Sequence, residues 1–242
     1  MKKLIVFLFL ITGIASCKKD EIETNNEVSA NDFLSSNKYD KLTVEIQYIT
    51  GFKPEDSAIE NLKTFLNQRL NKPAVISVVL TAIASPNKSS YSADDIRNIE
   101  KTNRTQHTSG RTLTAYILFV DADYSENSGN SKVLGIAYDN SSMSIFKKTI
   151  DEFSGGLTQP STHTLEATVL RHEVGHILGL VNNGTPLQTS HQDVAHGKHC
   201  NNQNCLMYYT AETSDIVANL IGGNIPELDA NCISDLRANG GK

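Results

Sequence analysis

The sequence predicts an α/β domain of the α+β kind, built around a twisted mixed sheet. Strands and helices alternate over residues 42–120, two weaker strands follow within residues 133–150, and the rest is loop-rich and helical. Alternating strands and helices favour parallel strands in one sheet, whereas two short consecutive strands favour an antiparallel edge. We therefore expect a mixed sheet with an antiparallel edge strand, followed by a helical C-terminal subdomain.

The first half of the chain supplies the predicted sheet and its helices. Pro54 and the acids after it open a helix whose apolar stripe continues to about Asn71. Ser92 can cap a second helix, because a serine hydroxyl accepts from the free backbone N–H groups of a first turn. The Val- and Ile-rich stretches predict strands at residues 42–49, 74–83 and 112–120, and we expect the second of these to be buried.

The second half contains weaker strands and one long helix. The weaker strands are predicted at residues 133–138 and 144–150. Ser161 or Thr162 can cap a helix that continues past residue 176. Further helices are predicted from about Glu212 to Leu220, and from Pro226 to about Ala238.

The N-terminus has the parts of a secretory signal. A basic start, Met1-Lys2-Lys3, precedes an apolar run at residues 4–11, and Ile14-Ala15-Ser16-Cys17 follows. The apolar run is too short to span a membrane. Its end resembles a bacterial lipobox, whose cysteine is lipidated and becomes the mature first residue. The resemblance implies a signal peptide at 1–17 and an exported outer-membrane lipoprotein, anchored through Cys17, on the periplasmic or cell-surface side.

The remaining composition predicts a linker and one domain. Residues 18–40 are polar and acidic, which is typical of a flexible linker. Residues 41–242 are enough for one domain with a hydrophobic core. The net charge of -5, without a basic patch, gives no reason to expect nucleic-acid binding. We expect a monomer.

Residues 171–180 contain the pattern His-Glu-x-x-His-x-x-Gly. Residues four apart lie on the same face of a helix, so His172 and His176 can point at one metal ion. Glu173 can take a proton from a metal-bound water, and this spacing is typical of a zinc peptidase. Gly179 can end the helix and turn the chain back towards the metal.

The pattern resembles the metzincin clan of zinc peptidases, although Asn182 stands where the clan has its third ligand, a His or Asp. The segment His199-Cys200-x4-Cys205-x-Met207 resembles the archaemetzincin branch. This resemblance implies one catalytic Zn²⁺ with His199 as the third ligand. His191 and His196 are alternatives, and Asp193 is a weaker one.

The same resemblance implies roles for two residues of the methionine turn. Met207 matches the methionine that packs beneath the metal without binding it. Tyr209 follows two residues later, where some metzincins carry a catalytic tyrosine that reaches the metal or the oxyanion.

Archaemetzincins also hold a structural zinc with four cysteines, and here the mature domain has only Cys200, Cys205 and Cys232. In an exported protein we expect a disulfide instead. Cys200 and Cys205 are the nearest pair, and Cys232 is the alternative partner of either.

These features predict an exported, lipid-anchored zinc endopeptidase that hydrolyses peptide bonds with a zinc-bound water and Glu173 as general base. Residues 133–138 resemble the metzincin edge strand, to which a peptide adds as a further strand. The alternatives are a surface binding lipoprotein with a metal site but no turnover, another zinc amide hydrolase, or an aminopeptidase. The intact Glu173 favours an enzyme, because a structural metal site has no use for that carboxylate.

Overall fold

The computed structural model describes residues 28–242. The predicted signal peptide at 1–17, Cys17 with its lipid, and residues 18–27 of the predicted linker lie outside the described residues.

Strands and helices alternate through most of the domain. The strands are β1 (Lys41–Ile49), β2 (Val75–Ile83), β3 (Ser90–Tyr91), β4 (Thr112–Val120), β5 (Asp123–Tyr124), β6 (Gly135–Asp139), β7 (Ser142–Phe146), β8 (Gln192–Asp193) and β9 (His199–Cys200). The α-helices are α1 (Ala30–Leu34), α2 (Asp56–Arg69), α3 (Ala93–Asn103), α4 (Lys147–Glu152), α5 (Thr162–Ile177) and α6 (Ala230–Ala238). Short 3₁₀ helices occupy Val194–His196, Tyr209–Glu212 and Ser214–Leu220.

Five of these strands form one mixed sheet in the spatial order β2-β1-β4-β7-β6. The first four are parallel to their neighbours, and β6 runs antiparallel to β7 at the edge. β3 pairs with β5, and β8 pairs with β9, in two small separate ladders. The predicted fold class is therefore confirmed, including the antiparallel edge.

Helices cover both faces of this sheet. On β4, Ile117 and Phe119 join the core that contains α2 and α5, whereas Leu118 and Val120 face Ile96 of α3. Successive side chains of a strand point to opposite faces, so a central strand covered on both sides is mostly apolar. This explains why β4 is apolar from Ala115 to Val120.

Three sequence predictions need correction. β2 is an edge strand with Val75 48% and Leu80 36% exposed, because it pairs only with β1 in the described part of the chain. The strand predicted at 144–150 ends at Phe146, and α4 begins at Lys147. The helix predicted from Glu212 to Leu220 is instead two 3₁₀ segments.

The predicted linker at 18–40 also ends earlier than expected. Ser29 and Asp32 form a reciprocal cap on α1, and Phe33 and Leu34 are buried in the main core. The buried ammonium of Lys72 donates to the carbonyl oxygens of Asp32, Ser35 and Tyr39. Residues 30–40 therefore belong to the folded domain. Within residues 28–242, no helix combines the length and the hydrophobicity that crossing a bilayer requires.

Candidate metal centre

Helix α5 begins and ends where its sequence predicts. Ser161 accepts a hydrogen bond from the Thr164 amide at 3.1 Å, which caps the N-terminus. At the other end, Leu180 N–H donates to Gly175 and Gly179 N–H donates to His176, each at 3.0 Å. This is a Schellman motif, and Gly179 has the positive φ of 75° that it requires. A Cβ on Gly179 would lie 2.6 Å from the Thr185 amide nitrogen, so a larger residue would not fit.

Three imidazoles converge beside this helix. His172 Nε2 lies 3.1 Å from His176 Nε2, one turn further along α5. His199 comes from β9, and its ring centroid is 5.3 Å from that of His172 and 5.0 Å from that of His176. The ligand nitrogens of all three lie within 4.8 Å of one another. His199, rather than His191 or His196, thus joins the pair on α5.

Backbone carbonyl groups orient two of these rings. His172 Nδ1 lies 2.7 Å from the Leu206 carbonyl oxygen, and His199 Nδ1 lies 2.6 Å from that of His196. Because a carbonyl oxygen only accepts, each Nδ1 carries the proton and donates. The lone pair of each Nε2 is then directed at the common centre, as in metal-binding histidines.

A residue that the sequence did not reveal completes the cluster. Glu212 Oε2 lies 3.4 Å from His199 Nε2 and 3.9 Å from the Nε2 atoms of both His172 and His176. Glu212 ends the 3₁₀ helix Tyr209–Glu212, five residues beyond Met207. No motif used above marks this position, and an acidic residue in a loop is common without a metal.

Glu173 lies beside the edge strand of the sheet. Its side chain is fully buried, and both carboxylate oxygens have no hydrogen-bond partner among the described residues. A Cβ on Gly135 would lie 2.8 Å from Glu173 Cγ, so β6 can approach the carboxylate only because it carries glycine there. Unpartnered buried oxygens are costly, which indicates that a further group belongs at this point.

The electrostatics of the cluster suit metal binding. Burial lowers the pKa of His172 to about 4 and holds the pKa of His176 well below its ordinary value. Both imidazoles are therefore neutral at neutral pH and available as ligands. Burial, and then the charge of Glu212, raise the pKa of Glu173 well above its ordinary value. Burial by itself lowers the pKa of His199, but the neighbouring carboxylate of Glu212, the His196 carbonyl and the charge of Asp193 together outweigh it, and the net shift is upward.

Met207 and Tyr209 occupy different surroundings. Met207 is fully buried against Gly175 of α5, beneath the histidine pair. Tyr209 stacks on the ring of His196, with centroids 3.7 Å apart and planes at 4°. His196 is 44% exposed, and its Nδ1 lies 2.7 Å from Asp193 Oδ2. These two side chains pair with each other, and neither belongs to the cluster of His172, His176 and His199. The catalytic role of Tyr209 stays a prediction.

A second group of possible metal ligands follows directly after His199 in the chain, beginning with Cys200. We call Cys200, Cys205 and Cys232 the thiol cluster; all three are buried free thiols. The Cys200–Cys205 disulfide expected from the sequence is therefore not formed. Cys205 Sγ lies 3.6 Å from Cys232 Sγ. His191 Nδ1 lies 3.4 Å from Cys200 Sγ, and its Nε2 lies 2.7 Å from Asp235 Oδ2. His191 thus belongs to this second group, which also includes Asp229.

The cluster of His172, His176, His199 and Glu212 fits the zinc predicted from the sequence. Zinc takes imidazole nitrogen and carboxylate oxygen as ligands, and three histidines with a nearby carboxylate supply that donor set. His199 Nε2 and both oxygens of Glu173 are buried without hydrogen-bond partners in residues 28–242, as expected of atoms that face a metal and its water. The structure thus contains a candidate zinc site at the end of α5.

Comparison with solved structures supports this fold. The archaemetzincin from Methanopyrus kandleri is 15% identical and superposes with a TM-score of 0.53, covering 83% of this chain and 96% of that one. A zinc-dependent peptidase from Methanocorpusculum labreanum is 14% identical with a TM-score of 0.48, covering 80% of this chain and 99% of that one. Metalloproteinase-II from Bacteroides fragilis is 15% identical with a TM-score of 0.42, covering 85% and 54%.

No protein-family model matches the sequence, and no curated protein matches it. At this level of identity the structural likeness shows the fold alone. The mixed α/β architecture of this chain is therefore similar to that of archaemetzincin.

Proposed function

We propose that this chain is an exported, lipid-anchored zinc endopeptidase of the metzincin type. One observation carries the proposal: the three Nε2 atoms of His172, His176 and His199 converge on one point, and the helix that carries two of them also carries the buried, unpartnered carboxylate of Glu173. This arrangement provides ligands and a base in one buried place. The archaemetzincin-like fold supports the same conclusion.

The three histidines would hold the metal, with His172 and His199 fixed by their carbonyl partners. When bound, zinc acts as a Lewis acid and lowers the pKa of a water molecule from about 15.7 to near 7. Glu173 would accept the proton of the attacking water and pass it to the departing amine. Burial and the charge of Glu212 raise its pKa, which favours holding the proton between the two steps.

The substrate would lie along β6. In the described sheet β6 pairs with β7 alone, so its other side can accept an extended peptide by strand addition. Gly135 of β6 touches Glu173, so a peptide on this strand passes the base. A cleft of about 380 Å³ continues from there between Ala137 to Asn140 and His176, which leaves room for side chains of the substrate.

Substitution of Glu173 tests the enzymatic proposal. The Glu173→Gln protein should retain zinc at the histidines, because the carboxylate is not needed as a ligand. Its cleavage of an unfolded protein should fall by about 10²- to 10⁴-fold, the usual contribution of a general base. Glu152→Gln, at an exposed carboxylate, is the matched control. Cleavage by Glu173→Gln at the parent rate would refute the mechanism, and zinc binding without any cleavage by the parent would favour a binding lipoprotein.

Anchoring through Cys17 is tested separately. Cells that make Cys17→Ser should release the protein from the membrane fraction or accumulate an uncleaved precursor. Membrane retention together with normal maturation would refute lipid attachment at Cys17.

A further inference from the structure

The carboxylate of Glu212 stands at the open end of the three-histidine cluster. We propose that Glu212 is a displaceable fourth ligand of the metal, which closes the resting site until a substrate carbonyl or another ligand replaces it. The inference rests on the proposed function, because it takes His172, His176 and His199 as the other ligands.

Distances distinguish a ligand from a neighbour of bound water. With zinc–ligand bonds of about 2.0–2.2 Å and tetrahedral angles, two ligand atoms lie about 3.3–3.6 Å apart. A carboxylate that hydrogen-bonds a water directly opposite the three histidines would lie on the order of 5.5 Å from their nitrogens. Glu212 Oε2 lies 3.4, 3.9 and 3.9 Å from the three Nε2 atoms, which is much closer to the separation of two ligands than to that of a water-mediated contact.

The nearly equal distances also argue against a simple ion pair. An ion pair with His199 alone would draw the carboxylate to one ring and leave the other two distant. A central divalent cation explains why one oxygen stands nearly equidistant from all three nitrogens.

The backbone that carries Glu212 is tied to the approach of the edge strand. The Glu212 carbonyl oxygen accepts from Leu134 N–H at 2.8 Å, and Ser214 Oγ accepts from Lys132 N–H at 3.0 Å. Val133 and Thr213 form an isolated bridge between these two hydrogen bonds. The main chain at Glu212 is therefore fixed next to the strand on which we propose that the peptide lies.

The side chain of Glu212, in contrast, has room to move. It is 33% exposed, whereas the side chain of His172 is fully buried and that of His199 is 9% exposed. Rotation of the side chain alone would carry the carboxylate into solvent without breaking the backbone hydrogen bonds. The histidines would then be the permanent ligands and Glu212 the exchangeable one.

Cobalt-substituted protein provides the test, because the visible spectrum of Co²⁺ reports its ligands without any turnover. We compare the parent with Glu212→Gln and Glu212→Ala. Asp215→Asn is the control, since Asp215 is an exposed acid three residues further on. The spectrum of the unliganded protein should change in both Glu212 variants and not in Asp215→Asn. Acetohydroxamate should bind both variants at least about tenfold more tightly, because it no longer has to displace a carboxylate.

The spectrum decides between ligation and mere charge. Tighter hydroxamate binding with an unchanged spectrum would mean that only a nearby negative charge was removed, and the proposal would be wrong. An unchanged spectrum with unchanged hydroxamate affinity would also overturn it. A parent protein that fails to bind Co²⁺ would refute both the site and the ligand.

Failure of the proposed function gives a different result. If the Co²⁺ spectrum responds as expected but neither metal form cleaves a protein, Glu212 is a ligand in a site that is not a peptidase. If Glu173→Gln abolishes cleavage while the Co²⁺ spectrum is the same in the parent and in the Glu212 variants, the peptidase proposal is retained and the fourth ligand is water.

Discussion

The side chain of Met207 packs directly against the backbone of Gly175. A Cβ at Gly175 would overlap the Met207 sulfur and lie 3.0 Å from its terminal methyl carbon. Gly175 precedes His176 on α5, so this contact places the methionine turn directly under the histidine pair. The glycine of the His-Glu-x-Gly-His segment is thus required by the turn that follows much later in the chain.

Gly175→Ala should therefore destabilise the protein. Forcing one extra carbon into a packed core typically costs about 1–3 kcal/mol, although alanine is the better helix former. Denaturant unfolding measures the change. Gly156→Ala is the control, because its new Cβ meets only the flexible end of Gln159. Adding Met207→Ala to Gly175→Ala should cost less than the sum of the single changes, and simple additivity would contradict the contact.

Zinc binding should depend on His199 and not on His196. His199→Ala removes one of three converging nitrogens, so zinc affinity should fall by well over tenfold, since even supporting residues contribute that much. His196→Ala keeps the backbone carbonyl that orients His199 and removes only an exposed ring. Competition with a coloured chelator measures both affinities. Equal affinities in the two variants would remove His199 from the ligand set.

The thiol cluster should bind a second zinc ion in the reduced protein, in addition to the one catalytic ion predicted from the sequence. The 3.6 Å between Cys205 Sγ and Cys232 Sγ is far longer than a disulfide bond of about 2.05 Å. It is close to the separation of about 3.8 Å expected for two thiolates on one tetrahedral zinc. We expect about two zinc ions per chain in the parent and about one in Cys232→Ser, measured by elemental analysis. Cys17→Ser is the control. One zinc ion per chain in the parent, together with two thiols that do not react with a thiol reagent, would indicate a disulfide and contradict the second zinc site.

The buried pair of Lys147 and Glu166 should give α5 a pH-dependent stability. Lys147 Nζ lies 2.9 Å from Glu166 Oε2, and Glu166 is fully buried. Burial raises the pKa of Glu166 to about 7, so the folded state holds its proton more tightly than the unfolded state does. That contribution to stability is present below the unfolded pKa and is lost as the pH rises through 7.

Lys147→Met should consequently cost about 3–5 kcal/mol near pH 8, because the buried Glu166 must then either stay charged without its partner or take up a proton against the pH. The loss should shrink near pH 5, where Glu166 is neutral. Denaturant unfolding at both pH values measures it. Lys148→Met is the control, because Lys148 is 43% exposed and should change little at either pH. A loss that is equal at both pH values would contradict the raised pKa.

Local sequence signals predicted most of the fold. The spacing of apolar residues and the helix-start signals predicted β1, β4, α2 and α5, because each of these patterns lies within one stretch of chain. The edge position of β2 could not be read in this way, since it depends on which strand lies beside it in space. α1 was missed because the helix has only five residues and its burial comes from contacts with distant segments.

The same limit applied to the site: spacing within one helix predicted the residues of that helix, but not which residues are brought together from distant segments. His172, Glu173 and His176 share one helix, so their geometry follows from spacing alone. His191 and His199 both follow α5 in a segment without a clear periodic pattern, and only the folded chain separates them into two different groups. Glu212 carries no local signal at all, because its role arises from the position of a 3₁₀ turn relative to α5.

The first described residues lie at the proposed substrate cleft, which limits how far this cleft can stand from a lipid on Cys17. Val28, Ser29 and Ala30 line the same cleft as His176 and β6. If Cys17 carries the proposed lipid, ten residues separate it from Val28, and the eleven steps from Cys17 to Val28 span at most about 40 Å when fully extended. The mouth of the cleft would then stay within that radius of the bilayer surface. Substrates would be chosen first by their distance from the membrane, and proteins held close to the same leaflet would be cleaved ahead of those free in bulk solution.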